Sequence, residues 1–184
     1  NAKDIYRSTA WHEACCYGQT ETAQLIIQSS KDFGIDLNAK DKYGRTVWHL
    51  ACFNGETEIA RLIISSSKDF GIDLSVKNNY RRTAWHFACK YGKTETAQLI
   101  IQNSKDFGID LNAKNDSGST AFHVACSNYH TETVQMILKN WKEFGIDIKA
   151  QDNQGKTALD LIRYREGEEY NQIKKMIDVT ESIC

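Results

Sequence analysis

A seven-residue phrase returns along this chain at one fixed step. Lys31-Asp32-Phe33-Gly34-Ile35-Asp36-Leu37 recurs at residues 68–74 and 105–111, and again as Lys142-Glu143-Phe144-Gly145-Ile146-Asp147-Ile148, each 37 residues on. Thr9-Ala10-Trp11-His12, Thr46-Val47-Trp48-His49, Thr83-Ala84-Trp85-His86, Thr120-Ala121-Phe122-His123 and Thr157-Ala158-Leu159-Asp160 keep the same step. Residues 20–37 and 94–111 differ at one position, Ser29 against Asn103, which points to duplication. A fixed period of this size predicts a stacked array, in which each unit buries its apolar face only against its neighbours. The units read as 1–37, 38–74, 75–111, 112–148 and 149–184, with no linker and no second domain.

Each unit reads as helix, turn, longer helix and hairpin. In the second unit Thr46 is placed to cap a short helix that runs to Asn54, and Gly55 to end it. A second helix begins near Glu56-Thr57-Glu58, where acidic residues suit the helix dipole. Ile59, Leu62, Ile63 and Phe70 fall on one face of it at a 3.6-residue period, and Gly71 stops it. The chain has no proline, where average usage is roughly 5%, which favours regular helices joined by short Gly and Asn turns.

These residues carry a resemblance. Thr-x-x-His-x-Ala-small, then Gly-x-Thr-Glu, Leu-Ile-Ile and Gly-Ile-Asp-Leu-Asn-Ala-Lys-Asp are similar to the ankyrin repeat, in phase over the whole chain. The resemblance implies an all-α repeat, an α-solenoid of ankyrin-type helix-turn-helix-hairpin units. Two departures stand out. Ankyrin units run roughly 33 residues, so these carry about four more, one helical turn. The proline that usually follows Thr is Ala10, Val47, Ala84, Ala121 and Ala158 here. The added turn lies before Gly71 and its counterparts, and Phe33, Phe70, Phe107 and Phe144 are expected to extend the buried stripe.

The last unit reads as a cap, with Asp160 for His, Arg163 for Cys and Lys174-Lys175 for Ile-Ile, which suits the polar outer face a solenoid needs at its end. The first unit is nearly as apolar as the interior ones, with only Glu13 where Leu50, Phe87 and Val124 stand elsewhere. The expectation is therefore a segment of a longer protein with further material before Asn1.

Net charge is -1 and no apolar run approaches the ~18 residues that cross a bilayer. No nucleic-acid partner, membrane insertion or secretory signal is expected. The setting expected is intracellular and cytoplasmic, the chain a monomer. The sharpest chemical pattern is His-x-x-Cys, at His12/Cys15, His49/Cys52, His86/Cys89 and His123/Cys126. Three residues apart on a helix, each pair shares a face. A zinc site needs four ligands at ~2.0–2.3 Å, while neighbouring helices sit roughly 8–10 Å apart. The resemblance instead implies a hydrogen-bonding clamp for the His, and the Cys fits a small buried position. Cys16 and Cys184 lack repeat counterparts and read as free thiols. No catalytic constellation and no cofactor motif is present, so no enzyme is expected. Asn115-Asp116-Ser117 is formally a glycosylation sequon, and by resemblance Asn38 and Asn112 occupy a hairpin position that some ankyrin proteins hydroxylate.

Function is sought where the units differ. By resemblance, turn tips and the exposed ends of the first helices bind partners. Those positions hold Tyr6 and Tyr17 in the first unit, and Lys42, Tyr43, Arg45 and Phe53 in the second. The third unit adds Lys77, Tyr80, Arg81, Arg82, Lys90 and Tyr91. Tyrosine and arginine are enriched in binding hot spots. The tyrosine ladder at 6, 43 and 80 ends at Ser117, and the third unit carries a net charge of +3 while no other exceeds zero. The patch predicts a protein partner with an acidic segment. A spacer without a docked partner is the alternative, and a metal- or redox-responsive module a more distant one. Tyr129 stands where Gly18, Gly55 and Gly92 stand, a place whose left-handed backbone costs a side chain ~1–2 kcal/mol. Either the fourth unit is strained there, or Tyr129 and His130 form a local contact surface.

Overall fold

The computed structural model describes residues 2–162 and 167–182, which form ten helices and no strand. They come in pairs: α1 (Ala10–Cys16) with α2 (Thr20–Phe33), α3 (Val47–Asn54) with α4 (Thr57–Phe70), and α5 (Ala84–Lys90) with α6 (Thr94–Phe107). The series continues with α7 (Ala121–Ser127) and α8 (Thr131–Phe144), then α9 (Ala158–Ile162) and α10 (Glu168–Ser182). Odd-numbered helices pack on one another as an inner layer, and even-numbered ones as an outer layer. The fold is the expected all-α solenoid.

The two layers meet over a dry seam. Trp11, Trp48, Trp85 and Phe122 of the inner helices are fully buried, as are Ile63, Ile100, Ile101 and Ile137 of the outer ones. The Trp11 and Trp85 indoles donate to the carbonyls of Leu37 and Leu111, each at 3.2 Å, so the buried N–H groups are satisfied. At the far end Lys174 and Lys175 are exposed while Ile173 and Ile177 face the core. Arg163 and Cys184 lie outside the described residues.

The phenylalanine stripe departs from expectation. Phe33 is 77% exposed and Phe70, Phe107 and Phe144 are only half-buried. Fourteen-residue outer helices span about 21 Å and seven-residue inner ones about 10.5 Å. The added turn therefore extends past the inner layer, and Phe70, Phe107 and Phe144 pack only against the margin of the core. Their outer sides are covered by the preceding unit's lysine, with Lys31 Nζ 5.0 Å above Phe70, Lys68 4.8 Å above Phe107 and Lys105 4.9 Å above Phe144.

The histidines join the units. The Thr83 side chain accepts from the backbone N–H of His86 while His86 Nδ1 accepts from the Thr83 N–H, a closed capping box. With Nδ1 an acceptor, Nε2 carries the proton and donates to the Ser119 carbonyl, 33 residues on, at 3.1 Å. His12, His49 and His123 repeat the arrangement onto Arg45, Arg82 and Lys156 at 3.3, 3.1 and 3.1 Å. Asp160 keeps the cap, its carboxylate accepting from Thr157 N–H at 3.0 Å, but a carboxylate has no proton to give to a following turn.

Burial holds all four imidazoles below their ordinary pKa, His49 and His86 at about 4. The folded state therefore binds fewer protons than the unfolded chain between pH 6.5 and 4, so stability is full above that window and falls with pH inside it. His49 and His86 should each withdraw on the order of 2 kcal/mol by pH 5. Thermal unfolding followed by circular dichroism should show the midpoint dropping from pH 7 to 5. A flat midpoint would refute the neutral clamp.

Candidate protein-binding surface

Each unit opens on a turn held by one side chain. Asp41 Oδ1 accepts from the N–H groups of Tyr43 and Arg45, both at 2.8 Å, and Asn78 Oδ1 does the same for Tyr80 and Arg82 at 3.0 and 2.9 Å. The two residues differ in their second atom. Asp41 Oδ2 accepts from Arg45 Nε at 2.7 Å and neutralises it, although Asp41 itself is buried. Asn78 has no second oxygen, and Arg82 meets no carboxylate among the described residues.

Several of the expected residues come together. Lys42 Nζ lies 3.9 Å from the Tyr6 ring and 4.9 Å from Tyr43, whose other neighbour is the Arg45 guanidinium at 4.9 Å. Arg82 lies 5.6 Å from Tyr80, and Lys90 5.2 Å from Tyr91. On the inner helices Phe53 packs against Tyr91 at 4.3 Å and Phe87 at 6.2 Å, and His49 meets Phe87 edge-on at 5.6 Å. Tyr17 is exposed at the C-cap of α1. Lys77 joins none of these stacks among the described residues; its carbonyl receives Lys40 Nζ at 3.5 Å, at the base of the turn.

Arg81 is set apart by its backbone. It holds φ 55°, and Arg7 holds φ 62°, where Gly44, Gly118 and Gly155 occupy the same register. The neighbouring turn explains the exchange. A Cβ on Gly44 would collide with Asn79, whose Nδ2 reaches back to the Lys42 carbonyl at 3.1 Å, and Gly118 faces Asn153 likewise. Opposite Arg7 and Arg81 the corresponding residues are Lys42 and Asp116, and the backbone is strained but not blocked. Tyr129, at φ 59°, follows the same logic: a Cβ on Gly55 or Gly92 would come within 2.7 Å of Lys93 or 2.6 Å of His130, while the residue at the matching register for Tyr129 is Gly167. The half-buried Tyr129 ring packs on the core.

Beyond this patch lies a hollow of about 210 Å³, lined by Arg82, His86 and Lys90 on one side and by Ser117, Ser119, Val124, Ser127 and Asn128 on the other. The sequence centres the patch on the second and third units and passes over the serines. Their signal was the loss of side-chain size at one register after another.

The His-x-x-Cys pairs have both imidazole nitrogens occupied as described, and Cys15, Cys52, Cys89 and Cys126 are buried, which pushes their thiols well above the usual range. No group of three or more His, Cys, Asp or Glu able to hold a metal occurs among the described residues. Cys16 is half-buried and receives Asn54 Nδ2 at its sulfur at 3.2 Å. Asn115 is buried with its Oδ1 committed to the turn, accepting from Ser117 and Ser119 N–H groups. Asn38 and Asn112 tie the opening of their own units to the end of the same unit's outer helix, their Nδ2 donating to the Gly71 and Gly145 carbonyls at 2.7 Å.

A two-layered helical stack, uniform in its seam and variable along its turn tips, is a repeat solenoid built around a surface. The chain belongs to the ankyrin-repeat family: the family model for ankyrin repeats (3 copies) matches residues 1–78 and 86–166. No curated protein matches the chain significantly. Ankyrin repeats are in general protein–protein interaction modules, and the family is typically non-enzymatic. No described helix is long and apolar enough to cross a membrane.

Arg81→Gly should relieve about 1 kcal/mol of backbone strain and raise the thermal midpoint by roughly 2–4 °C, read by calorimetry. An unchanged or lower midpoint would mean that the arginine side chain stabilises the turn by more than its backbone costs.

Proposed function

We propose that the chain is a non-enzymatic protein-interaction module whose turn tips and inner helices, centred on the second and third units, receive an acidic segment of a protein partner. One observation carries this reading: the cations are already ordered. Lys42, Arg82 and Lys90 each lie against a tyrosine ring, so little side-chain entropy is lost when a carboxylate arrives. The strained backbone at Arg7 and Arg81 adds to it, since left-handed non-glycine residues cluster at ligand contacts. A spacer would gain nothing from either feature.

The triple variant Arg81→Glu, Arg82→Glu, Lys90→Glu tests the reading. Affinity capture with the wild-type chain and the variant, read by mass spectrometry, should show a partner retained by the first and lost by the second, with the helical circular dichroism of both the same. A partner held equally by the variant would end the proposal.

A further inference from the structure

The hollow between the third and fourth units is made by a run of exchanges. Moving one unit down, Tyr80 becomes Ser117, Arg82 becomes Ser119, Phe87 becomes Val124, Lys90 becomes Ser127 and Tyr91 becomes Asn128. Between the second and third units the same space is filled by the packed rings of Phe53, Phe87 and Tyr91. Between the third and fourth it is open, about 210 Å³, with Arg82 and Lys90 on its upper wall.

The chemistry of that wall is one-sided. Arg82 and Lys90 are half-buried and have no carboxylate partner among the described residues. Asn78, in place of the aspartate that neutralises Arg45, leaves Arg82 its charge. The opposite wall offers small hydroxyls: no hydrogen bond engages the Ser117 or Ser119 hydroxyl among the described residues, and Ser127 Oγ makes only a 3.2 Å bond to the Val124 carbonyl. His86 contributes no charge, because burial disfavours the imidazolium and its Nδ1 accepts from the Thr83 N–H.

We infer that this hollow is a binding site for a phosphate monoester, the side chain of a phosphorylated serine or threonine on the partner segment. The inference rests on the proposed protein-binding surface and names what its border with the fourth unit recognises. A phosphomonoester carries about −1.5 to −2 charge and three acceptor oxygens. Two cations supply the charge, the guanidinium a planar fork and the ammonium a point donor, and the serine hydroxyls supply the remaining donors. A carboxylate, with one charge and two oxygens, would leave part of this donor set unused.

The chain itself provides the controls. Asn78→Asp reproduces the turn that Asp41 makes in the second unit and should pair Arg82 internally. Val124→Phe with Asn128→Tyr restores the residues the third unit carries at this register and should fill the hollow. The first arrangement already occurs in the chain, and the second differs from one that does only in having Lys90 where Phe53 stands. Amide chemical shifts of the labelled chain are followed by NMR in phosphate-free buffer during titration with N-acetyl-phosphoserine amide, N-acetyl-glutamate amide or N-acetyl-serine amide. The phosphoserine probe should produce saturable shifts confined to residues 82, 86, 90, 117, 119 and 127, with affinity at least tenfold above the glutamate probe and none for serine. Asn78→Asp should weaken it at least fivefold, and the filled variant should abolish it. Absent or scattered shifts, equal binding of glutamate, or unchanged affinity in the filled variant would overturn the assignment. Loss of this site with partner capture intact in the filled variant would sink the phosphate inference alone, whereas capture surviving the Arg81, Arg82, Lys90 reversal sinks the surface reading itself.

Discussion

The stack depends on a proton held at one nitrogen. In each of the first four units a buried histidine accepts from its own capping threonine through Nδ1 and so keeps its proton at Nε2, where the next unit's turn carbonyl receives it. The local cap and the contact between units are thus the same side chain. A hydrogen bond of this kind contributes about 0.5–1.5 kcal/mol net, yet an unsatisfied imidazole in that seam would cost more than the bond is worth. That asymmetry holds register: a unit that slid would strand a buried donor. The turn, pinned at its carbonyl by the preceding histidine, can then vary at its tip without loosening the array.

Much of this was legible in advance because the period made it so. Four copies of Thr-x-x-His and one of Thr-x-x-Asp place the caps, and the glycines at 34, 71, 108 and 145 end the outer helices where the sequence puts them. The expected phenylalanine stripe holds only in part, with Phe70, Phe107 and Phe144 at the margin of the core and Phe33 exposed, for a reason of length, not polarity. Periodicity says which side of a helix a residue faces, but not whether anything stands opposite. An outer helix twice as long as its inner partner reaches past it, so the phenylalanines at its end meet only the margin of the core, and Phe33 not even that.

The surface was legible in its residue types and not in its pairings. Tyr6, Tyr43 and Tyr80 were visible as a ladder, and Lys42, Arg45, Arg82 and Lys90 as a basic group. That Arg45 is silenced by Asp41 while Arg82 is not requires knowing that the turn-holding residue keeps a second atom pointing at the arginine four positions on. The strain at Arg81 was equally readable in principle, since Gly44, Gly118 and Gly155 share its register. What conceals it is that the glycine requirement lies partly in another unit, in an asparagine 35 residues downstream.

These cross-unit dependencies explain how a duplicated scaffold acquires a distinct surface. Where Asn79 and Asn153 reach back, a Cβ at the tip above would collide and the tip is glycine; where Lys42 and Asp116 stand instead, the tip carries an arginine. Where Glu56, Lys93 and His130 fill the space below a helix end, that end is glycine; above Gly167 it is a tyrosine. The room for a side chain at the tip thus depends in part on the residue beneath it. The third and fourth units are where such exchanges fall together: Asp116 releases Arg81, Asn78 releases the charge of Arg82, and the serines below leave room beside it. None of these exchanges touches the histidine clamp or the Trp and Ile seam. Charge, strain and open volume thus converge at one border of an otherwise uniform array.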